Sequence, residues 1–319
     1  MKTKIILAVC LLLTMCGFAQ QDPQYSQYMF NQMAINPAYA GSKDALCATG
    51  FVRSQWTAID GAPKTESLTL HSPMKGKKVG LGISFVGDQI GPKKSVGALG
   101  SYAYRLPIKN GMLAFGLRVG VYNYMYNWDI SHKDGGDEVY TKNANSKIVP
   151  TADAGIYYNT NSLYAGFSVT HLYNGRLTTV SSQDGDNAKL SPHYFFTFGQ
   201  AWSLCEKLIF NPSIMIKTAK NSPATTDINL SFLLDQKIWL GVSLRTNYGI
   251  VAYTQFNVSE KWKIGYAFDL GANKIGKVGG GSHELMLGYN FNTMCYKYYQ
   301  SIRTRSNPSS RRRLASAPS

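Results

Sequence analysis

The sequence predicts an all-β fold: a closed antiparallel transmembrane β-barrel of about fourteen strands, preceded by a short periplasmic N-terminal segment. Three observations predict it. From Leu46 to Phe291, short stretches alternate apolar residues with small or polar ones, the period of a strand with two unlike faces. The connections between these stretches alternate between tight turns and longer polar loops, the plan of an outer-membrane barrel. The less apolar face is dominated by Gly, Ala, Ser and Asn with scattered charges, whereas a soluble sandwich or propeller would charge that face heavily.

Met1 to Ala19 reads as an export signal. Lys2 and Lys4 supply a positive start and Ile5 to Met15 an apolar core too short to span a bilayer. Gly17-Phe18-Ala19 supplies small residues at the cleavage positions, so the mature chain is expected to begin at Gln20. Met15, where a lipoprotein would carry a small residue, speaks against lipidation of Cys16. No later stretch approaches ~18 apolar residues, which leaves no transmembrane helix in the mature chain. An exported chain can form disulfides. After cleavage Cys47, Cys205 and Cys295 remain, without CxxC spacing, so no zinc site is expected. A Cys47–Cys295 bond is conceivable if the first and last strands are neighbours.

Residues 20–44 form a segment unlike the rest, with QDPQYSQYMFNQMAINPAYAGS at its heart. It has neither a helical stripe nor clean alternation, and Pro23 and Pro37 interrupt it. Tyr25, Tyr28, Phe30 and Tyr39 offer apolar surface with polar tips, apart from the all-apolar phenylalanine. Asn31 and Asn36, with Gln27 and Gln32, can satisfy backbone groups without charge. Pro37 sets φ for a turn, and Gly41 permits the approach into the first strand. Asp22, Pro23, Tyr25, Tyr28, Phe30, Asn31, Asn36, Pro37, Tyr39 and Gly41 are therefore the candidate site. The segment either plugs or caps the periplasmic opening, or clamps the barrel closed while partners bind elsewhere.

The barrel is expected over residues 45–292. Its clearest strand is Met112 to Val121, where Leu113, Phe115, Leu117, Val119 and Val121 oppose Ala114, Gly116, Arg118 and Gly120. Ile238 to Arg245, Trp262 to Gly271, Val79 to Phe85, Leu163 to Thr170, Asp227 to Leu234 and Leu285 to Phe291 read the same way. Weaker alternation marks Leu46–Ala58, Glu66–His71, Val96–Leu106, Thr151–Tyr158, His193–Trp202, Leu208–Lys217 and Tyr248–Val258. Lengths of roughly 7–13 residues suit tilted transmembrane strands. Met74–Lys78, Ile108–Gly111, Thr160–Asn161, Cys205–Lys207, Asp235–Lys237 and Ser259–Lys261 read as tight turns. Ile59–Lys64, Gly87–Lys94, Trp128–Val149, Tyr173–Ser191, Thr218–Ala224 and Ala272–Ser282 read as long loops; Thr246-Asn247 is short where a long loop is due. An even strand count puts both termini on the short-turn side, taken as the periplasm. Arg53, Arg105, Arg118, Asp153, Lys217, Asp227, Arg245, Lys263 and Asp269 lie on the less apolar face, where both signs can pair inside a lumen. Trp56, Tyr122, Trp202 and Trp262 are expected to form an interfacial girdle.

Residues 293–319 form a basic tail, too polar and too Ser/Pro-rich to fold alone. Arg303, Arg305, Arg311, Arg312 and Arg313 make it a candidate contact for an anionic partner. The formal net charge of +15 suggests anionic partners generally, such as lipid headgroups, cell-wall polymers or acidic proteins. The export signal argues against nucleic acid. No HExxH, P-loop, GxGxxG or GxSxG is present, so no cofactor, metal or catalytic residue is expected. Ser282-His283-Glu284 is a compact trio, but neighbours on a strand point to opposite faces and cannot act as a unit.

The opening stretch, directly after a signal peptide, resembles the N-terminus of the PorP/SprF family, outer-membrane components of the type IX secretion system of the Bacteroidetes. Trp56 with Gly61-Ala62-Pro63-Lys64 resembles its early W…GAP segment. Gly80-Leu81-Gly82 fits its first periplasmic hairpin, and Gly281 to Tyr289 resembles its final strand. The resemblance covers Gln20 to Phe291 and leaves out the tail. It implies a non-enzymatic role. Some members belong to the secretion machinery and contact periplasmic partners linked to peptidoglycan. Others serve one large secreted adhesin, including gliding adhesins, by receiving its C-terminal signal domain at the outer membrane. A passive outer-membrane porin is the alternative, with Trp128 to Val149 as a constriction loop. A third reading is a structural barrel anchored to the cell wall by its tail.

Overall fold

The computed structural model describes residues 23–126, 145–173, 190–219, 222–273, 276 and 278–291. The first strands are β1 (Cys47–Ser54), β2 (Lys64–Pro73), β3 (Val79–Ile90), β4 (Lys93–Ile108) and β5 (Gly111–Tyr126). They are followed by β6 (Asn145–Asn159), β7 (Leu163–Thr170), β8 (His193–Gln200), β9 (Trp202–Cys205) and β10 (Leu208–Ala219). The last are β11 (Thr225–Leu234), β12 (Ile238–Arg245), β13 (Gly249–Asn257), β14 (Trp262–Gly271) and β15 (Ser282–Asn290).

All pairings are antiparallel. β8 and β9 both pair with β10 and are separated only at Ala201, so together they make one interrupted stave of a 14-strand barrel. The ring closes because β15 pairs with β1, with Cys47 opposite Asn290, and β10 pairs with β11. A closed ring leaves no long open edge, which is what a bilayer demands of a sheet. Leu117, Val119, Ile264, Leu285 and Leu287 face outward, about half exposed or more. Their alternates Arg118, Glu284 and Met286 are buried inside.

Two expectations are corrected. Gly87–Lys94 is not a long loop: β3 runs to Ile90 and β4 starts at Lys93, leaving Gly91 and Pro92 as the turn. Asp88, Gln89, Lys93 and Lys94 are polar on both faces, so the period of two vanishes although the ladder continues. Of the expected girdle, Trp202 and Trp262 are exposed on the outer face. Tyr122 instead turns inward and stacks on Tyr124, and Trp56 sits in the connection after β1 with φ of 50°.

Several of the expected inward charges meet across strands, and Glu284, outside the expected set, joins them. Arg118 lies opposite Asp153, Asp227 opposite Arg245 and Arg53 opposite Glu284 in the registers of β5–β6, β11–β12 and β1–β15. Cys47 is buried on β1 and Cys205 is exposed at the end of β9, while Cys295 lies outside the described residues.

Candidate functional site

Residues 23–41 run through the interior of the barrel. They form three single 3-10 turns, Tyr28–Phe30, Gln32–Ala34 and Pro37–Tyr39, joined by extended or irregular backbone. A longer helix has no apolar stripe to bury here. The third turn starts where the sequence directs it. Pro37 takes the first helical position, and the Asn36 side chain accepts the amide of Ala38 at 2.9 Å. The other end of that carboxamide donates to the carbonyls of Ile156 at 3.0 Å and Phe167 at 3.4 Å, tying the turn to β6 and β7. Gly41, at φ 76°, then sends the chain close past Pro73 and Gly80 toward β1.

The barrel wall supplies polar partners from β1, β2, β5, β7, β11, β12, β14 and β15. Glu284 accepts the backbone amides of Ser26 and Gln27, both at 2.8 Å. Ser26 Oγ donates to Asp269 at 2.8 Å and accepts from Arg53 at 2.6 Å. Arg245 donates to the carbonyl of Tyr25 at 3.4 Å, and Asn229 to the Tyr28 hydroxyl at 2.5 Å. Asn31 donates to Thr69 at 2.7 Å. Arg118 donates to the carbonyls of Met33 and Ala34 at 3.1 and 3.2 Å, and Ser168 to that of Ile35 at 2.7 Å. Gly41 donates to His71 at 3.2 Å. An irregular backbone inside a barrel must find such partners, since an unpaired buried group costs roughly 1–3 kcal/mol.

The arginines are themselves neutralised. Arg53 pairs with Asp269 at 2.6 Å and Glu284 at 3.4 Å, Arg245 with Asp227 at 2.9 Å, and Arg118 with Asp153. At the turn end Asp44 takes Arg105 at 2.8 Å and Lys77 at 3.1 Å. The charges that line the wall therefore hold one another and the segment at once.

Apolar contacts complete the fit. Tyr25 tilts against Phe51, Phe30 meets Trp239 and Tyr253 edge-on, and Tyr39 meets His71 and Tyr157 edge-on. Met33, fully buried, sits over Gly82, where any Cβ would collide with its side chain. Gly116 faces the backbone of Pro37 and Ala38, and Gly155 and Gly166 face the Asn36 carboxamide. The many small inward residues are thus the space the segment occupies. Burial raises the phenols of Tyr25 and Tyr28 above the ordinary tyrosine value, which keeps them neutral.

Of the candidate residues, Tyr25, Tyr28, Asn31, Asn36, Pro37, Tyr39 and Gly41 are buried within the barrel; Phe30 is half-buried there and Pro23 lines a cavity. Asp22 and the tail residues Arg303, Arg305, Arg311, Arg312 and Arg313 lie outside the described residues. The trio Ser282-His283-Glu284 divides as its strand position requires: Ser282 and Glu284 are buried inside, while His283 meets the Tyr266 hydroxyl at 2.7 Å. Gln27, read as able to satisfy backbone groups, donates its side-chain amide to the Glu284 carbonyl at 3.2 Å; sequence reasoning missed Ser26 and Met33 as anchors and the role of Glu284. Among the described residues no group of three His, Cys, Asp or Glu could hold a metal ion.

A family described as "Type IX secretion system membrane protein PorP/SprF" matches residues 17–289, most of the chain. No curated protein matches. Solved barrels are similar in outline only. A Pseudomonas aeruginosa FadL homologue is 12% identical, over 85% of this chain and 95% of its own, at a TM-score of 0.45. The CymD monoaromatic hydrocarbon channel is 11% identical, over 86% and 95%, at 0.48. The Pseudomonas putida toluene transporter TodX is 10% identical, over 86% and 96%, at 0.44.

Proposed function

This chain belongs to the PorP/SprF family of type IX secretion system membrane proteins, and on that premise we propose that it is a non-enzymatic outer-membrane docking barrel rather than a pore. It supports secretion or surface attachment of a partner protein, such as a large adhesin with a role in gliding, by receiving that partner's C-terminal signal domain. Residues 1–19 are removed as a signal peptide. Residues 20–44 serve as the plug and docking segment, 45–292 as the membrane barrel, and 293–319 as a periplasmic basic tail that reaches peptidoglycan-linked secretion components. The short-turn side, where β1 begins and β15 ends, faces the periplasm.

One observation supports this reading over a porin: the lumen is crossed by a segment whose backbone is hydrogen-bonded to β2, β5, β7, β12 and β15. A porin needs an aqueous path, and here the space is taken by buried side chains and paired charges. The test is affinity capture of the detergent-extracted protein from its native cells, read by mass spectrometry. One dominant large secreted protein marks a dedicated cargo partner. Periplasmic and lipoprotein components without a dominant cargo mark a core component of the machine. Recovery of neither overturns the proposal.

A further inference from the structure

The turns at the short-turn end of the barrel differ in charge. Those after β9, β11 and β13 each set an acid near a lysine: Glu206 with Lys207, Asp235 with Lys237 and Glu260 with Lys261. The β6–β7 turn, Thr160 to Ser162, has no charge. The β2–β3 turn instead carries Lys75, Lys77 and Lys78, and the neighbouring β4–β5 hairpin brings Arg105 and Lys109. The two hairpins are joined, because β3 pairs with β4 and the Arg105 amide donates to the Lys78 carbonyl at 2.7 Å. Among the described residues one acid, Asp44, pairs with these cations, and it is shared by Arg105 and Lys77. Lys75, Lys78 and Lys109 are exposed and have no ion pair among the described residues. Positive charge is thus concentrated on one arc of the rim, where the lumen segment passes through Asp44 into β1.

We infer that this arc binds anionic phospholipid headgroups of the periplasmic leaflet. Lys75, Lys78 and Lys109 take the phosphates, and Met74, Tyr104 and Ile108 lie against the acyl chains. The inference rests on the orientation proposed above, with the short turns in the periplasm. The apolar residues favour a lipid over an acidic polypeptide. Met74 is 51% exposed and Ile108 40%, within or beside the same turns as the lysines. Tyr104 is exposed on the outer face of β4, opposite Val79 of β3 and Phe115 of β5. An outward tyrosine with lysines just beyond it marks the depth where acyl chains give way to headgroups. The hairpin cannot reach far past that depth, since Lys109 and Asn110 alone join β4 to β5. An acidic polypeptide would need only the lysines, whereas a phospholipid also uses the apolar collar above them.

The test mixes the purified full chain in detergent with phosphatidylglycerol or with phosphatidylcholine of the same acyl chains. Lipid that co-elutes in gel filtration is counted by mass spectrometry. The chain is expected to retain phosphatidylglycerol preferentially. The triple variant Lys75→Gln, Lys78→Gln, Lys109→Asn should lose that retention by roughly tenfold; asparagine suits the left-handed backbone at position 109, φ 52°. Asp235→Asn with Lys237→Gln and Glu260→Gln with Lys261→Gln, which remove lysines without changing net charge, should leave it unchanged. Salt at about 1 M, which screens charges beyond ~3 Å, should abolish the preference in the unaltered chain, a check that needs no variant to fold. Equal retention of both lipids, or retention by the triple variant equal to wild type, overturns the inference. Capture of polyglutamate without a preference for phosphatidylglycerol gives the arc to an acidic polypeptide and also overturns it. In native cells, Asn110→Cys in a chain with Cys47→Ser, Cys205→Ser and Cys295→Ser is expected to resist a membrane-impermeant maleimide until the outer membrane is opened. Labelling in intact cells overturns the inference together with the proposed orientation. Protection without lipid preference overturns the inference alone.

Discussion

Ser26 and Glu284 stand 258 residues apart in the chain and meet at 2.8 Å, the backbone amide of one donating to the carboxylate of the other. The second carboxylate oxygen takes the amide of Gln27. Glu284 is thus both the partner of Arg53 and the main anchor for the start of the lumen segment. Glu284→Gln removes the more distant of the two carboxylates that pair with Arg53, leaving Asp269 at 2.6 Å, and replaces one acceptor by a donor facing an amide. A buried amide left without its acceptor costs roughly 1–3 kcal/mol. The variant is expected to keep its barrel but expose the segment, read as faster cysteine labelling of a Met33→Cys reporter. Unchanged labelling would remove Glu284 from the anchor.

Arg118 serves two partners, Asp153 and the carbonyls of Met33 and Ala34. Arg118→Met is expected to destabilise by about 3–5 kcal/mol by leaving Asp153 buried and uncompensated. The swap Arg118→Asp with Asp153→Arg restores the pair across β5 and β6 but moves the donor away from the segment. Rescue should be partial in thermal melts. Full rescue would show that the two carbonyl contacts contribute nothing.

Gly116 offers a cleaner separation of wall from filling. A Cβ there meets the backbone of Pro37 and Ala38, which has no flexible end to move aside. Gly116→Val is expected to leave a heat-modifiable, folded barrel with the segment displaced. Gly100→Ala, on the outer face with only a distant carbonyl nearby, is the control expected to match wild type. Equal labelling of the Met33→Cys reporter in both variants would argue against the tight seat.

Deleting residues 23–41 is expected to convert a quiet barrel into a conducting one in planar bilayers. The intact chain should show little stable conductance. Stable channels in the intact chain, or silence after deletion, would contradict the plug.

Truncation before residue 293 tests the tail separately. Loss of co-sedimentation with peptidoglycan, with cargo capture unchanged, is the expected outcome. Retained co-sedimentation would place the anchor elsewhere.

Much of the fold was legible because a barrel wall writes its period of two into every strand; Leu113 to Val121 and Trp262 to Leu270 show it without help from context. Fourteen staves could be read this way, and the pairing of inward charges followed from their shared face. Legibility failed where both faces turn polar, as at Asp88 to Lys94, because alternation carries no signal there although hydrogen bonding continues. The segment was recognisable by its odd composition, and its aromatic and amide residues by type. Its anchors were not, because Ser26 is unremarkable in sequence and its partners come from β1, β14 and β15. Glu284 offered one clue, an acid at an inward position of the final strand. Its role needed the closed register to be seen.

The socket for Ser26 draws Arg53 from the first strand, Asp269 from the penultimate one and Glu284 from the last. It straddles the junction where the two ends of the sheet meet, and half a socket exists on either side until they do. A nascent chain with that junction still open can offer the segment only one bank of partners. Only a finished ring presents Ser26 with all three partners, so the seam of the barrel and the seat of its leading residues are one piece of architecture.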